Sequence, residues 1–288
     1  MRSRNPVFSR RGFSGGHAGF DAAPQAGTAA QGNPYAGNPY AQPTNPYAAN
    51  PYAQGGPDLQ QGYPQAPART ADRMTMDDVV MRTGLSLGLV VVAAAAAWAL
   101  RLPVGVGFAA GLVAMVLGLV QTFRQKVSPA IILAYAAFEG LFLGVISQVY
   151  NEVAKGAPMQ AVLGTMAVFA GVLIAYRARI IRVNARFTRF VVGAAIGFAL
   201  LAMVNMLVAV FGGGDGLGLR TGGLGIVFGI IGVVLGAAFL ALDFKQVEDG
   251  IRYGAPREEA WLSAFGLTMT LVWIYTEILR LVAILNND

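Results

Sequence analysis

From Thr83 onward the chain is a succession of long apolar runs broken by short polar connections, at 83–100, 102–120, 129–150, 160–176, 188–211, 222–243 and 261–285. A helix crosses a bilayer with about 20 apolar residues, range 17–25. Each run is long enough, so the pattern predicts an all-α integral membrane fold of seven transmembrane helices. Arg101 and Pro103 interrupt the first pair, which leaves open a tight hairpin or a broken helix. Ahead of the first run, MTMDDVVMRTG offers Thr75 and Asp77 as helix starts, and Asp77 and Asp78 lie where the helix dipole favours negative charge. Pro256, Glu258 and Glu259 mark the start of the last helix in the same way.

Residues 1–73 carry no such pattern. They are rich in Gly, Pro, Gln, Ala and Asn and repeat Asn-Pro-Tyr at 33–35, 38–40, 45–47 and 50–52. Such composition buries too little apolar surface to offset the entropy of ordering, so a disordered cytoplasmic tail is expected ahead of a membrane domain at 74–288. No apolar segment follows the basic opening MRSRNPVFSR, so the tail does not read as a cleavable signal peptide.

Composition agrees with the hydropathy pattern: 55% hydrophobic and 12% charged, with mean hydropathy +0.54. Charged residues make up roughly a quarter of an ordinary soluble chain. Cysteine is absent and the one histidine, His17, lies in the tail. The membrane core therefore lacks thiolate nucleophiles, His-based metal sites and Ser-His catalysis, and neither an enzyme nor a bound cofactor is expected. An intramembrane hydrolase built on Ser147 or Ser263 has no span histidine or lysine to serve as base.

The net charge of +6 has its own explanation. If the N-terminus is cytoplasmic, the inward connections hold Arg124 and Lys126; Arg177, Arg179, Arg182, Arg186 and Arg189; and Lys245, Arg252 and Arg257. The outward ones hold Arg101, Lys155 and Arg220. Ten against three predicts a multi-pass protein of the inner (plasma) membrane, N-terminus inside and C-terminus outside. The expected partners are the bilayer and cations, with a membrane-protein partner as a further candidate. No nucleic acid is expected, since no zinc-finger spacing or aromatic-basic sheet pattern accompanies the charge.

Ionisable groups inside spans carry the candidate chemistry, because a charge at the bilayer centre must neutralise, pair or line a wet cavity. Glu139 begins EGLFLG in the third run. Gly140 and Gly144 beside it form a small-xxx-small face for close helix approach. Glu139 then reads as a cavity carboxylate, a partner for an intramembrane arginine, or a neutral group hydrogen-bonded across helices. Asp243 ends the sixth run near the cytoplasmic side, as a gate or as a solvated group beside Lys245. Glu277 and Arg280 are three apart on the last helix and can pair, as a structural ion pair or as a transport gate. Thr270, two turns before Glu277, can extend one polar track, and Asn205 can join it or bond across helices. The glycines at 222, 223, 225, 229, 232 and 236 read as a packing face, and Asp215 as loop filler rather than a calcium ligand.

Three segments, AYAAFEGLFLGVISQVY at 134–150, ALDF at 241–244 and LTMTLVWIYTEILRLV at 267–282, resemble the Bax inhibitor-1/YccA-like membrane proteins, and the MRSRNPVF start resembles actinobacterial members. The resemblance implies seven helices with the last surrounded by the other six and, for some members, a pH-sensitive calcium leak. In that scheme protonation alters the pairing of two membrane aspartates. Asp243 matches one of them. Thr270 stands where the last-helix aspartate usually stands. The expected function is a pH-sensitive cation leak with Glu139, Asp243, Thr270, Glu277 and Arg280 along the path. Glu139 and Asp243 are the candidates for transient calcium contact. The alternative is a non-conducting scaffold or regulator of membrane-protein quality control, recruited through the tail.

Overall fold

The computed structural model describes residues 73–212 and 216–286. Each apolar run forms one helix: α1 (Met76–Ala99), α2 (Val104–Phe123), α3 (Pro129–Val153), α4 (Ala157–Arg177), α5 (Ala185–Gly212), α6 (Gly222–Arg252) and α7 (Glu259–Leu285). All seven are long and apolar enough to cross a membrane. The Asn-Pro-Tyr repeats and Asp215 lie outside the described residues.

Most helices outrun their apolar runs at one end or both, because a formed hydrogen-bond ladder continues through polar residues. α1 starts at Met76, capped by Thr75, whose hydroxyl oxygen accepts the Asp78 amide at 3.2 Å; of the two candidate starts, Thr75 is the cap. α6 continues to Arg252, with Lys245 and Asp249 paired one turn apart on its polar extension.

The first two helices turn at Leu100–Pro103, where Arg101 adopts φ 48°. They do not pack side by side. Both lie on α3 instead, and glycines set how closely. A Cβ at Gly140 would collide with the Val90 carbonyl and lie 2.7 Å from the Ala93 methyl; one at Gly144 would collide with the Ala94 carbonyl and lie 2.7 Å from the Ala97 methyl. The small-xxx-small face of EGLFLG is thus the α1–α3 contact, where backbones approach as lipid-embedded helices require.

α7 packs on α1, α3, α4 and α6. Its side chains also meet α2, where Leu262 and Phe265 cluster with Ala114, and α5, where Trp273 lies 6.0 Å from Phe198. It is the least apolar of the seven spans and the most buried. Protein therefore surrounds the polar groups of α7 that lipid would not tolerate. α5 is held through α6, with Phe198 stacked on Phe228 at 4.2 Å.

Candidate functional site

The seam between α6 and α7 collects four of the five candidate residues. The helices run antiparallel in one register: Gly225 faces Ile284, Gly229 faces Leu281, Gly232 faces Glu277, Gly236 faces Ile274 and Asp243 faces Thr270. Glycine is what permits it. A Cβ at Gly232 would lie 2.8 Å from Oε2 of Glu277, and one at Gly236 would lie 2.6 Å from Cγ1 of Ile274. Of the six glycines read as a packing face, Gly222 and Gly223 have open space around them and take no part.

Three layers follow along this seam. At the first, Thr270 donates its hydroxyl to Oδ2 of Asp243 at 2.6 Å. Asp243 is 1% exposed, and Thr270 is its one side-chain hydrogen-bond partner among the described residues. The solvated reading of Asp243 beside Lys245 does not hold. Residues two apart on a helix point roughly 200° from each other, and Lys245 pairs with Asp249 on the outer face. At the second layer Ile274, fully buried, fills the space above Gly236. At the third, Arg280 donates to Oε2 of Glu277 in a buried ion pair, with its guanidinium 5.8 Å from the Phe228 ring. From Thr270 to Glu277 is about 10 Å along the helix.

Glu139 stands apart. It is half-buried on α3 and makes no hydrogen bond or ion pair among the described residues. Asn205 joins neither the polar track nor another span. Its side-chain oxygen accepts the amides of Leu217 and Leu219 at 2.9 and 3.3 Å, tying down the α5–α6 connection. Ser147 shares a 2.7 Å hydrogen bond with the Tyr275 hydroxyl and also donates to the Leu143 carbonyl.

Two arrangements escape a reading of the sequence. One is a group of buried side-chain atoms without a hydrogen-bond partner among the described residues, on Thr83 and Ser86 of α1, Gln121 of α2, Gln246 of α6 and Ser263 of α7; Nε of Arg280, at the far layer, lacks one as well. Arg82 lies over Trp261, Val90 packs with Val272, and Gly118 packs against Phe265. These pairings place the first five polar groups beyond Thr270, toward the end of the bundle that bears the basic connections. Burying such a group unpaired costs about 1–3 kcal/mol, so their shared level marks a stretch suited to water. Single polar letters within apolar runs were the available signal. The other arrangement is the clasp of Asp78, whose Oδ1 accepts Nε of Arg257 at 2.8 Å and lies 3.8 Å from Arg82. It ties the start of α1 to the α6–α7 connection, where the Met74 amide donates to the Ala255 carbonyl at 2.8 Å. Partners so remote in sequence leave no local signal.

Among the described residues no group of three or more His, Cys, Asp or Glu side chains is placed to hold a metal ion. Any calcium contact at this seam would be with single carboxylates, hydroxyls and carbonyls. The sequence profile of the family described as Bax inhibitor 1 like matches residues 5–287. No curated protein matches the chain.

Proposed function

Because the chain belongs to the Bax inhibitor 1 like family, we propose that this non-enzymatic, multi-pass membrane protein carries or regulates a pH-sensitive calcium leak along the α6–α7 seam. The basic end faces the cytoplasm in this reading, and α7 is the axis of the bundle. The observation that carries the proposal is the Asp243–Thr270 pair. Among the described residues it is a buried carboxyl group with a single hydroxyl partner, next to a stretch of unpartnered polar side-chain atoms on the basic side.

A hard divalent cation exchanges water for oxygen ligands, which the Asp243 carboxylate, the Thr270 hydroxyl and backbone carbonyls supply. A site of so few ligands binds weakly enough to release the ion, which conduction requires. Ile274 above Gly236 forms a dry constriction between the two polar layers, and such constrictions close pores by excluding water. Proton exchange at Asp243 changes the charge beneath that constriction and with it the hold on a cation. Glu139, half-buried and unpartnered among the described residues, is the second carboxylate on which the leak depends. The Glu277–Arg280 pair closes the far end.

The test is calcium flux into proteoliposomes across a range of internal pH. Asp243→Asn is expected to abolish the pH dependence, and Glu139→Gln to reduce the flux. No flux from the intact protein, or an unchanged pH profile when both carboxylates are neutralised, would sink the proposal.

A further inference from the structure

α1 and α4 both lean on α3 and α7, yet their backbones do not approach each other closely. Between them lies a cleft of about 810 Å³, walled by residues 87–98 of α1 and 158–170 of α4, with Leu143 and Tyr275 in its floor. Its polar groups are already engaged. Ser147 and Tyr275 bond each other at 2.7 Å, and Thr165 donates to the Ala161 carbonyl at 2.7 Å. An occupant is therefore met by hydrocarbon.

The cleft's dimensions and ends narrow the choice. Residues 87 to 98 span about 16 Å of helix, close to half of a hydrocarbon core about 30 Å thick. The cleft thus has the depth of one leaflet. A cleft of this volume suits a small amphiphile or one acyl chain. At one end sit Trp98, 39% exposed, and Pro158. The backbone at Trp98 is held there by its carbonyl, which accepts Nε2 of Gln148 at 2.6 Å, and tryptophan favours the depth of lipid headgroups. Three residues beyond Trp98 is Arg101, and three before Pro158 is Lys155. Both are exposed, and neither has an ion-pair partner among the described residues. Glu152 is the acidic residue near them.

We propose that this cleft binds one membrane glycerophospholipid, an acyl chain lying between α1 and α4 and the phosphate held by Arg101 and Lys155. The bilayer supplies the ligand through the lateral opening, and the two cations match a phosphate rather than a neutral headgroup.

The experiment uses the full chain in mild detergent, stripped of lipid, with binding read by native mass spectrometry. The probes are a long-chain phosphatidylglycerol and a diacylglycerol with the same chains. The expected result is one retained phosphatidylglycerol per protein. Retention should fall at least tenfold in Ala95→Trp/Ala170→Phe, which fills the cleft. In Arg101→Ala/Lys155→Ala it should fall by roughly fivefold for each charge removed, while diacylglycerol binding stays the same. The second variant alters exposed side chains without hydrogen bonds, so it decides the matter even if the first fails to fold. The proposal is overturned if the intact protein retains no phosphatidylglycerol, if a folded cleft-filled variant retains as much, or if the charge variant shows no headgroup effect. Crosslinking of Ala95→Cys to a second protein seated in the cleft would overturn it as well.

Discussion

The hydrogen bond from Thr270 to Asp243 makes a quantitative claim about the seam. Thr270→Val keeps the shape of the side chain and removes the donor. The Asp243 carboxyl group is then left 1% exposed without the side-chain partner it has at 2.6 Å. A hydrogen bond to a charged group contributes about 1.5–3 kcal/mol and one between neutral groups about 0.5–1.5 kcal/mol. Asp243→Asn keeps an acceptor oxygen while removing the charge, so Thr270→Val should cost about 1 kcal/mol less in that background, roughly a fivefold difference in the unfolding equilibrium. The assay is a double-mutant cycle on reversible unfolding in lipid-detergent bicelles, at a pH where Asp243 is ionised. Equal costs in the two backgrounds would mean that the pair is not coupled, and the first layer of the seam would lose its physical basis.

Two further expectations concern the layers above it. Ile274→Ala opens the space beside Gly236; it should raise cation leak through proteoliposomes at a stability cost of about 2–5 kcal/mol, and a folded variant with unchanged leak would count against the constriction. Glu277→Gln leaves the Arg280 guanidinium, 5% exposed, without its counter-charge. Its unfolding free energy should drop by about 3–5 kcal/mol, with most of that recovered when Arg280→Met is added to Glu277→Leu; a drop below 1 kcal/mol would show that solvent reaches the pair.

How much of this was legible in the sequence follows from which forces act locally. Seven spans are written as seven apolar runs, because length and hydropathy alone decide what a bilayer accepts. The close approach at Gly140 and Gly144 was visible as small-xxx-small spacing. The end of α6 was not, since its ladder carries on through DFKQVEDGIR to Arg252 once started. That extension is also why Asp243 lies inside a helix rather than at its solvated end. The direction of Asp243 follows from helix geometry, which sets it opposite Lys245. Its partner needs the α6–α7 register, which no local pattern contains. α1 and α2, adjacent in sequence, part because each finds a closer fit on α3. Arg257 reaches Asp78 across almost the whole membrane domain.

The register itself links the polar layers. An ion pair such as Glu277–Arg280 adds little net stability against an apolar alternative, yet breaking it is expensive. A slip of one residue along α6 would move Gly232 away from Glu277 and put a side chain where only a glycine fits. The same slip would carry Asp243 away from Thr270 and the opening at Gly236 away from Ile274. Glycine spacing and the buried pair therefore select one alignment, and that alignment brings a carboxyl group, a hydroxyl and the buried Ile274 side chain together. Widening the seam at Ile274 while the other layers hold would join the polar side chains of the basic end to the Glu277–Arg280 layer. In the proposed leak, a change at one layer would then control passage without the bundle coming apart.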